Sequence, residues 1–165
     1  MIKENYKQNV LAIIFDKWWK ILLWKYNSEF PSWTFPKWWI KINETKEQAL
    51  FREIYEELWI HKEKLNILYA YPQTFKKKFT KKEIDWKIKN KWESNKWKEE
   101  NIFVLKFNWD SKDIDLTISN EFIDWKLVSL NEIDKYIKNK ELLNFIDIDF
   151  LERLIIVESV FLVQK

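Results

Sequence analysis

Residues 38–60 read WWIKINETKEQALFREIYEELWI, and this stretch decides the fold. Thr45 stands where a helix is capped, and Gln48 three residues later completes a capping box. Leu50, Phe51, Ile54 and Leu58 recur at helical spacing on one side, so the pattern predicts a helix over 45–58. On the opposite side Glu53, Glu56 and Glu57 stand at i, i+3 and i+4 and share a face. Three carboxylates crowded into one face repel each other unless a cation neutralises them. Hard divalent ions such as Mg2+ take carboxylate and phosphate oxygens as ligands. Taken alone, the triplet also suits a solvated acidic face. Trp59 then follows, where helices commonly end on a left-handed glycine.

That tryptophan belongs to a wider anomaly. The chain of 165 residues has no Gly and 12 Trp. Average usage of about 7% predicts roughly 12 glycines in a chain this long. Asp16-Lys17-Trp18-Trp19 lies between two apolar runs, where a hairpin normally places Asp, Asn and Gly. Asn108-Trp109-Asp110 repeats the pattern after residues 102–107, where Asn-Gly would make the turn. Bulky residues are poor choices wherever φ must be positive. The positions therefore point to Trp written where the natural chain has Gly, as happens when a gene that uses UGA for glycine is translated with UGA as tryptophan.

Composition removes several classes of chemistry. Zero Cys excludes a disulfide scaffold, a Cys-based zinc site and a Cys nucleophile. The single His, His61, excludes multi-histidine metal sites. With 47% hydrophobic and 33% charged residues, the chain reads as one globular domain over residues 1–165. Apolar runs at 10–15 and 154–157 are too short to span a bilayer, so no membrane association is expected. Residues 1–9 are polar and charged, unlike a signal peptide, which makes a cytoplasmic location the expectation. The net charge of +3 is mild, and its basic residues are Lys apart from Arg52 and Arg153. Abundant Lys, Ile and Asn fit an AT-rich coding bias and need no nucleic-acid partner. No feature indicates a stable protein partner.

Around the central helix, residues 10–15, 20–24, 66–71, 102–107 and 125–129 read as strands. Residues 131–138 and 150–161 read as helices, and the Lys-rich stretch 74–98 as a long hairpin or exposed loop. Strands interspersed with a few helices predict an α/β or α+β sandwich.

Read from Trp38, the spacing is W-x5-E-x7-R-E-I-Y-E-E-L-W-I through Glu44, Arg52, Glu53, Glu56, Glu57, Trp59 and Ile60. This resembles the Nudix box, G-x5-E-x7-R-E-U-x-E-E-x-G-U with U aliphatic, at every position except its two glycines. Residues 6–10 (YKQNV), 32–40 (SWTFPKWWI) and Asn120-Glu121-Phe122 before Trp125 and Val128 are similar to the bacterial RNA pyrophosphohydrolase branch of that family. Trp33 and Trp125 fall where the branch itself has Trp. By contrast, Trp19, Trp38, Trp39, Trp59, Trp97 and Trp109 fall where it has Gly or a turn. Trp18, Trp24, Trp86 and Trp92 stay undecided.

The resemblance implies an α/β/α sandwich around a mixed β-sheet. It also implies an enzyme hydrolysing phosphoric anhydride bonds by water attack on phosphorus. Glu53, Glu56 and Glu57, with the carbonyl of residue 38, would hold Mg2+ or Mn2+. Glu53, Glu57 and Glu121 would be the catalytic carboxylates, with Glu121 a further ligand or general base. Arg52 would orient a box glutamate, Glu44 would brace the loop, and Trp59 would fill a structural glycine position. Lys7 and Lys37 could contact substrate phosphates as point charges. The implied substrate is the 5′-end of triphosphorylated RNA, from which pyrophosphate is removed in mRNA decay. Phe145 is followed by Ile146 and Asp147 where that branch has basic residues, so dinucleoside polyphosphates are the alternative substrate. If its tryptophans are native, the chain would instead be a Trp-rich binding module. Lys76–Lys78, Lys81 and Lys82, with Phe75 and Phe79 between them, offer either a solvated loop or a surface for charge and stacking contacts with single-stranded RNA.

Overall fold

In the computed structural model, which describes residues 6–27, 31–91, 96–108 and 122–163, strand β1 (Tyr6–Phe15) is the spine of the molecule. All of residues 10–15 are buried because both faces of its sheet carry a core, so consecutive residues must be apolar. Ten residues long, β1 pairs in parallel with β7 (Trp97–Phe107), from Tyr6 opposite Trp97 to Phe15 opposite Lys106. It also pairs antiparallel with β2 (Ile21–Tyr26) and β4 (Lys37–Trp39). The strand order is β3 (Trp33–Thr34), β2, β1, β7, β5 (Leu65–Ala70), while β6 (Phe75–Lys78) adds to β7 and β8 (Phe122–Val128) adds to β2.

Helix α1 (Lys46–Leu58) covers one face, and its Ala49, Leu50, Ile54 and Leu58 join Val10, Ala12 and Ile14 in the first core. On the other face Leu11, Ile13 and Phe15 pack in a core with Ile133 of α3 (Ile133–Tyr136), Leu142, Leu143 and Ile146 of α4 (Lys140–Ile146) and Leu151 of α5 (Ile148–Val163). The architecture is the expected α/β/α sandwich around a mixed sheet. No described helix is long and apolar enough to cross a membrane.

Three local expectations need correction. Residues 74–98 are not an irregular loop, because they contain β6 and the helix α2 (Lys81–Lys91). Thr80 and Glu83 form a second capping box there: Thr80 N donates to Glu83 and Glu83 N donates to Thr80 Oγ1. The predicted helix over 131–138 reduces to a short 3-10 turn and α3, since Ile137 is extended. A separate helix, α4, then starts at Asn139, whose side chain accepts from Leu142 N. Strand β7 also begins five residues earlier than its apolar run, at Trp97 rather than Ile102. Glu99, Glu100 and Asn101 there are buried, with Gln8 Nε2 donating to Glu99 and Asn101 Nδ2 donating to the Asn9 carbonyl, although Asn101 Oδ1 has no partner.

Among the described residues, Trp19 and Trp59 are the tryptophans in left-handed backbone. Trp19 has φ 61° in the tight β1–β2 turn, where Asp16 Oδ1 accepts from Trp18 N and Lys20 N. Trp59 has φ 55° and ψ 26° at the end of α1, its N–H donating to the Tyr55 carbonyl. This region costs an L-residue with a Cβ roughly 1–2 kcal/mol and costs glycine almost nothing.

Candidate active site

The capping box fixes where α1 begins and therefore where its acidic face lies. Thr45 Oγ1 accepts from Gln48 N, and Gln48 Oε1 accepts from Thr45 N. From that start Glu53, Glu56 and Glu57 share a flank of α1, but not the side opposite the core that the spacing predicts: Glu53 is 14% exposed and Glu57 has a buried Oε2, while Glu56 is 49% exposed. Arg52 stands between them and the loop before the helix. Its guanidinium meets Glu53 at 2.6 Å, Glu56 at 3.1 Å and Glu44 at 2.6 Å. Glu44 also accepts from Lys41 N at 3.0 Å, and Arg52 Nη2 reaches the Trp39 carbonyl at 3.4 Å. One cation thus ties the loop to two of the three carboxylates.

The electrostatics follow from these contacts. The Arg52 hydrogen bond holds the Glu44 carboxyl at about 2, well below its ordinary value. Burial pushes Glu53 up, against the pull of Arg52 and together with the repulsion of Glu56 and Glu57. Glu57 differs from both, because its Oε2 is buried and has no hydrogen-bond partner. A buried carboxylate oxygen left alone is costly, and a hard cation is the partner its chemistry favours. The oxygen-only donor set of Glu53, Glu56 and Glu57 therefore fits Mg2+ or Mn2+. Among the described residues no three acidic or imidazole groups yet converge on one point, with Arg52 drawing Glu53 and Glu56 toward itself.

A cavity of about 220 Å³ opens beside Glu53, lined by Asn9, Tyr26, Lys37, Trp38 and Trp39 as well. Lys37 and Lys7, both expected at the substrate, lie here. Lys37 lines the cavity, and Lys7 Nζ sits 3.0 Å over the ring of the cavity-lining Trp39. Burial and the neighbouring Lys98 push Lys37 down to about 8. The indole of Trp38 turns inward, 5% exposed and packed edge-on to Trp24 at 5.2 Å. It is Trp39 that remains exposed at the cavity. Trp24 is completely buried and stacks on Phe122 at 3.7 Å, yet neither its indole N–H nor that of Trp38 has a hydrogen-bond partner.

Asn9, Tyr26, Lys98 and Glu100 were not singled out from sequence. Tyr26 Oη donates to the Lys37 carbonyl at 2.7 Å, which holds β4 beside β2. The signal for Lys98 and Glu100 was their alternation, which places both on one side of β7. Glu121, Trp92 and Trp109 lie outside the described residues. The stacking surface considered at residues 75–82 is not formed, because Phe75 and Phe79 are buried. Lys76 there pairs with Glu99, and Lys77 with Glu83.

A carboxylate helix braced by one arginine thus stands beside a cavity that Lys37 and Glu53 both line. The NUDIX domain model matches residues 5–154, so the chain belongs to the Nudix family of pyrophosphohydrolases, whose enzymes act on phosphoric anhydride bonds. An RNA pyrophosphohydrolase of Actinobacillus succinogenes is 32% identical over 130 residues, covering 76% of this chain and 63% of that protein. Another, from Blochmanniella pennsylvanica, is 33% identical over 137 residues, covering 79% of this chain and 82% of that one. Among solved structures, a C. elegans Ap4A hydrolase in a binary complex superposes with a TM-score of 0.60 at 22% identity, covering 96% of this chain and 99% of that one. At that identity the likeness is one of fold.

Proposed function

We propose that this chain is a divalent-metal-dependent hydrolase that removes pyrophosphate from the 5′-end of triphosphorylated RNA. The observation that carries the reading is the unpartnered, buried Oε2 of Glu57 on the same helical face as Glu53 and Glu56, beside a cavity that Lys37 lines. Curated relatives that carry the name RNA pyrophosphohydrolase favour the RNA substrate. Bound at this face, the metal would supply charge neutralisation on the substrate phosphates. Arg52 would align Glu53 and Glu56, while Glu44 and Lys41 would hold the loop. Lys37 and Lys7 would bind phosphate oxygens, and Glu121 remains the candidate base for the attacking water. Pyrophosphate release from a 5′-triphosphorylated oligonucleotide, measured with Mg2+ and with chelator, tests the assignment. Release that is equal under both conditions, or equal in Glu57→Gln, would sink it.

The reading also holds that the natural protein carries glycine at positions 19, 38 and 59. Left-handed φ at Trp19 and Trp59 supports two of these positions, and the unpartnered indole N–H of Trp38 supports the third. Trp24, undecided in sequence, shares the buried unpartnered N–H and joins them. Buried tryptophans normally find a partner for that group. Reading the gene tests the reassignment, because UGG in place of UGA at 38 or 59 would refute it. The natural protein would work in the cytoplasm, where its RNA substrate is made and turned over.

A further inference from the structure

Helix α5 turns a two-part side away from the sheet. Its exposed residues recur every three or four positions, through Asp149, Glu152 and Arg153 and then through Ile156, Val157, Val160 and Phe161. The first half of this side is charged, as a solvated helix face should be. The second half is apolar, with Ile156 63%, Val157 50%, Val160 56% and Phe161 62% exposed. The two polar residues of those turns point elsewhere. Glu158 is half-buried and within reach of the charge on buried Lys106, and Ser159 Oγ donates to the Ile155 carbonyl. Exposed apolar side chains scattered singly are ordinary, but four on successive turns make a continuous patch. No tryptophan contributes to it, so the patch is the same whether Trp or Gly stands at the disputed positions.

The chemistry of the patch selects its occupant. Its four residues carry no charge and the last turn of α5 has no basic residue, so neither RNA phosphates nor an anionic bilayer finds the cations it requires there. A protein surface of equal apolarity fits, and a second copy of α5 supplies one by symmetry. About a twofold axis the two helices run antiparallel. Val157 then faces Val160 of the second copy, Ile156 faces its Phe161, and Arg153 falls at the end of its helix. The C-terminal end of a helix carries partial negative charge, which α5 does not balance with a basic residue in its own last turn. Arg153 is placed to do so across the axis, because its side chain is 65% exposed and reaches Asp147 only at 3.8 Å. The four apolar side chains expose on the order of 400 Å² per copy. Paired, and with the stems of Glu152 and Arg153, they would hide roughly 1,000 Å² in total, the size of a weak and reversible association.

We infer that the chain forms a reversible homodimer through the C-terminal half of α5, packed antiparallel on its copy with Arg153 of each protomer at the end of the other's helix. α5 covers the face of the sheet opposite α1, so the dimer keeps both carboxylate helices on its outer sides. Association is therefore independent of the reaction proposed above.

Analytical ultracentrifugation of the full chain between about 1 and about 200 µM tests the interface. The mean mass is expected to climb from one chain toward two. Val160→Glu, which buries a charge only in the dimer, is expected to stay monomeric throughout and to melt like dilute wild type. Arg153→Glu is expected to weaken association about five-fold or more, and Arg153→Lys to restore most of it. Because the chain has no Cys, single-cysteine variants report the alignment cleanly. A mixture of Val157→Cys and Val160→Cys chains is expected to cross-link faster than either chain alone. Wild type that remains monomeric across the range, or a dimer that survives both Val160→Glu and Arg153→Glu, would overturn the inference. So would cross-linking no faster in the mixture, or binding to anionic vesicles by a chain that never dimerises.

Discussion

Arg52 grips Glu44 at two points, Nε to Oε1 at 2.6 Å and Nη2 to Oε2 at 2.9 Å. The planar fork of Arg matches a carboxylate in a way that the single ammonium of Lys does not. Because the same guanidinium also touches Glu53 and Glu56, the pair sets the position of the loop and the carboxylate face together. Arg52→Lys should therefore lower kcat by about ten-fold or more while leaving the fold intact, since the geometry rather than the charge is lost. An unchanged kcat would mean that the fork does not position the site.

Acid should loosen this grip in a definite window. Folding lowers the Glu44 pKa from 4.5 to about 2, so its contribution to stability is fully present above 4.5. That contribution is lost as pH falls from 4.5 toward 2. In Glu44→Gln, melting temperature should lie below wild type at pH 7 and the gap should close toward pH 2. A gap that is constant across this range would contradict the assignment.

Glu57→Gln should separate catalysis from stability. Removing the charge from a buried oxygen with no partner should leave the metal-free protein as stable as wild type or more so. Hydrolysis should fall by about 100-fold or more if the carboxylate is in the catalytic set. Thermal stabilisation by Mg2+ should weaken in the variant, following the ligand-linkage relation. A variant that melts lower without metal and responds to Mg2+ like wild type would defeat this account.

Trp59→Gly should raise stability. The left-handed backbone at the end of α1 costs a side-chain-bearing residue about 1–2 kcal/mol, and the indole is mostly exposed, so little packing is lost. Chemical denaturation of the single variant and of Trp19→Gly with Trp59→Gly measures the gain. Destabilisation in both would show that these tryptophans earn their places through packing.

Much of this was legible in the sequence because short-range chemistry set it. The box around Thr45 and Gln48 fixed α1, and the spacing of the glutamates put them on one face. The left-handed ends at Trp19 and Trp59 followed from where turns and caps fall. Helix α2 was missed although Thr80 and Glu83 carry the same capping signature, because its lysines mask any apolar periodicity. The polar start of β7 was hidden for a different reason. Hydropathy cannot reveal that Glu99, Glu100 and Asn101 are buried with partners on β1, β6 and β7 itself: Gln8 and Lys76 for Glu99, Lys98 for Glu100 and the Asn9 carbonyl for Asn101. The placing of Lys98 opposite both Lys7 and Lys77 is likewise a property of strand register, which brings together residues 91 and 21 positions apart only once the sheet has formed.

The stacked pair of Trp24 and Phe122, with Trp38 edge-on, also carries an optical consequence. Indoles sealed in a dry interior emit at shorter wavelength than indoles in water, so the tryptophan-bearing chain should have a strong blue component in its fluorescence. The glycine-bearing chain would keep Trp33 and Trp125, which are only partly buried and would emit further to the red. A fluorimeter could thus tell which of the two polypeptides a cell has made, before any codon is read.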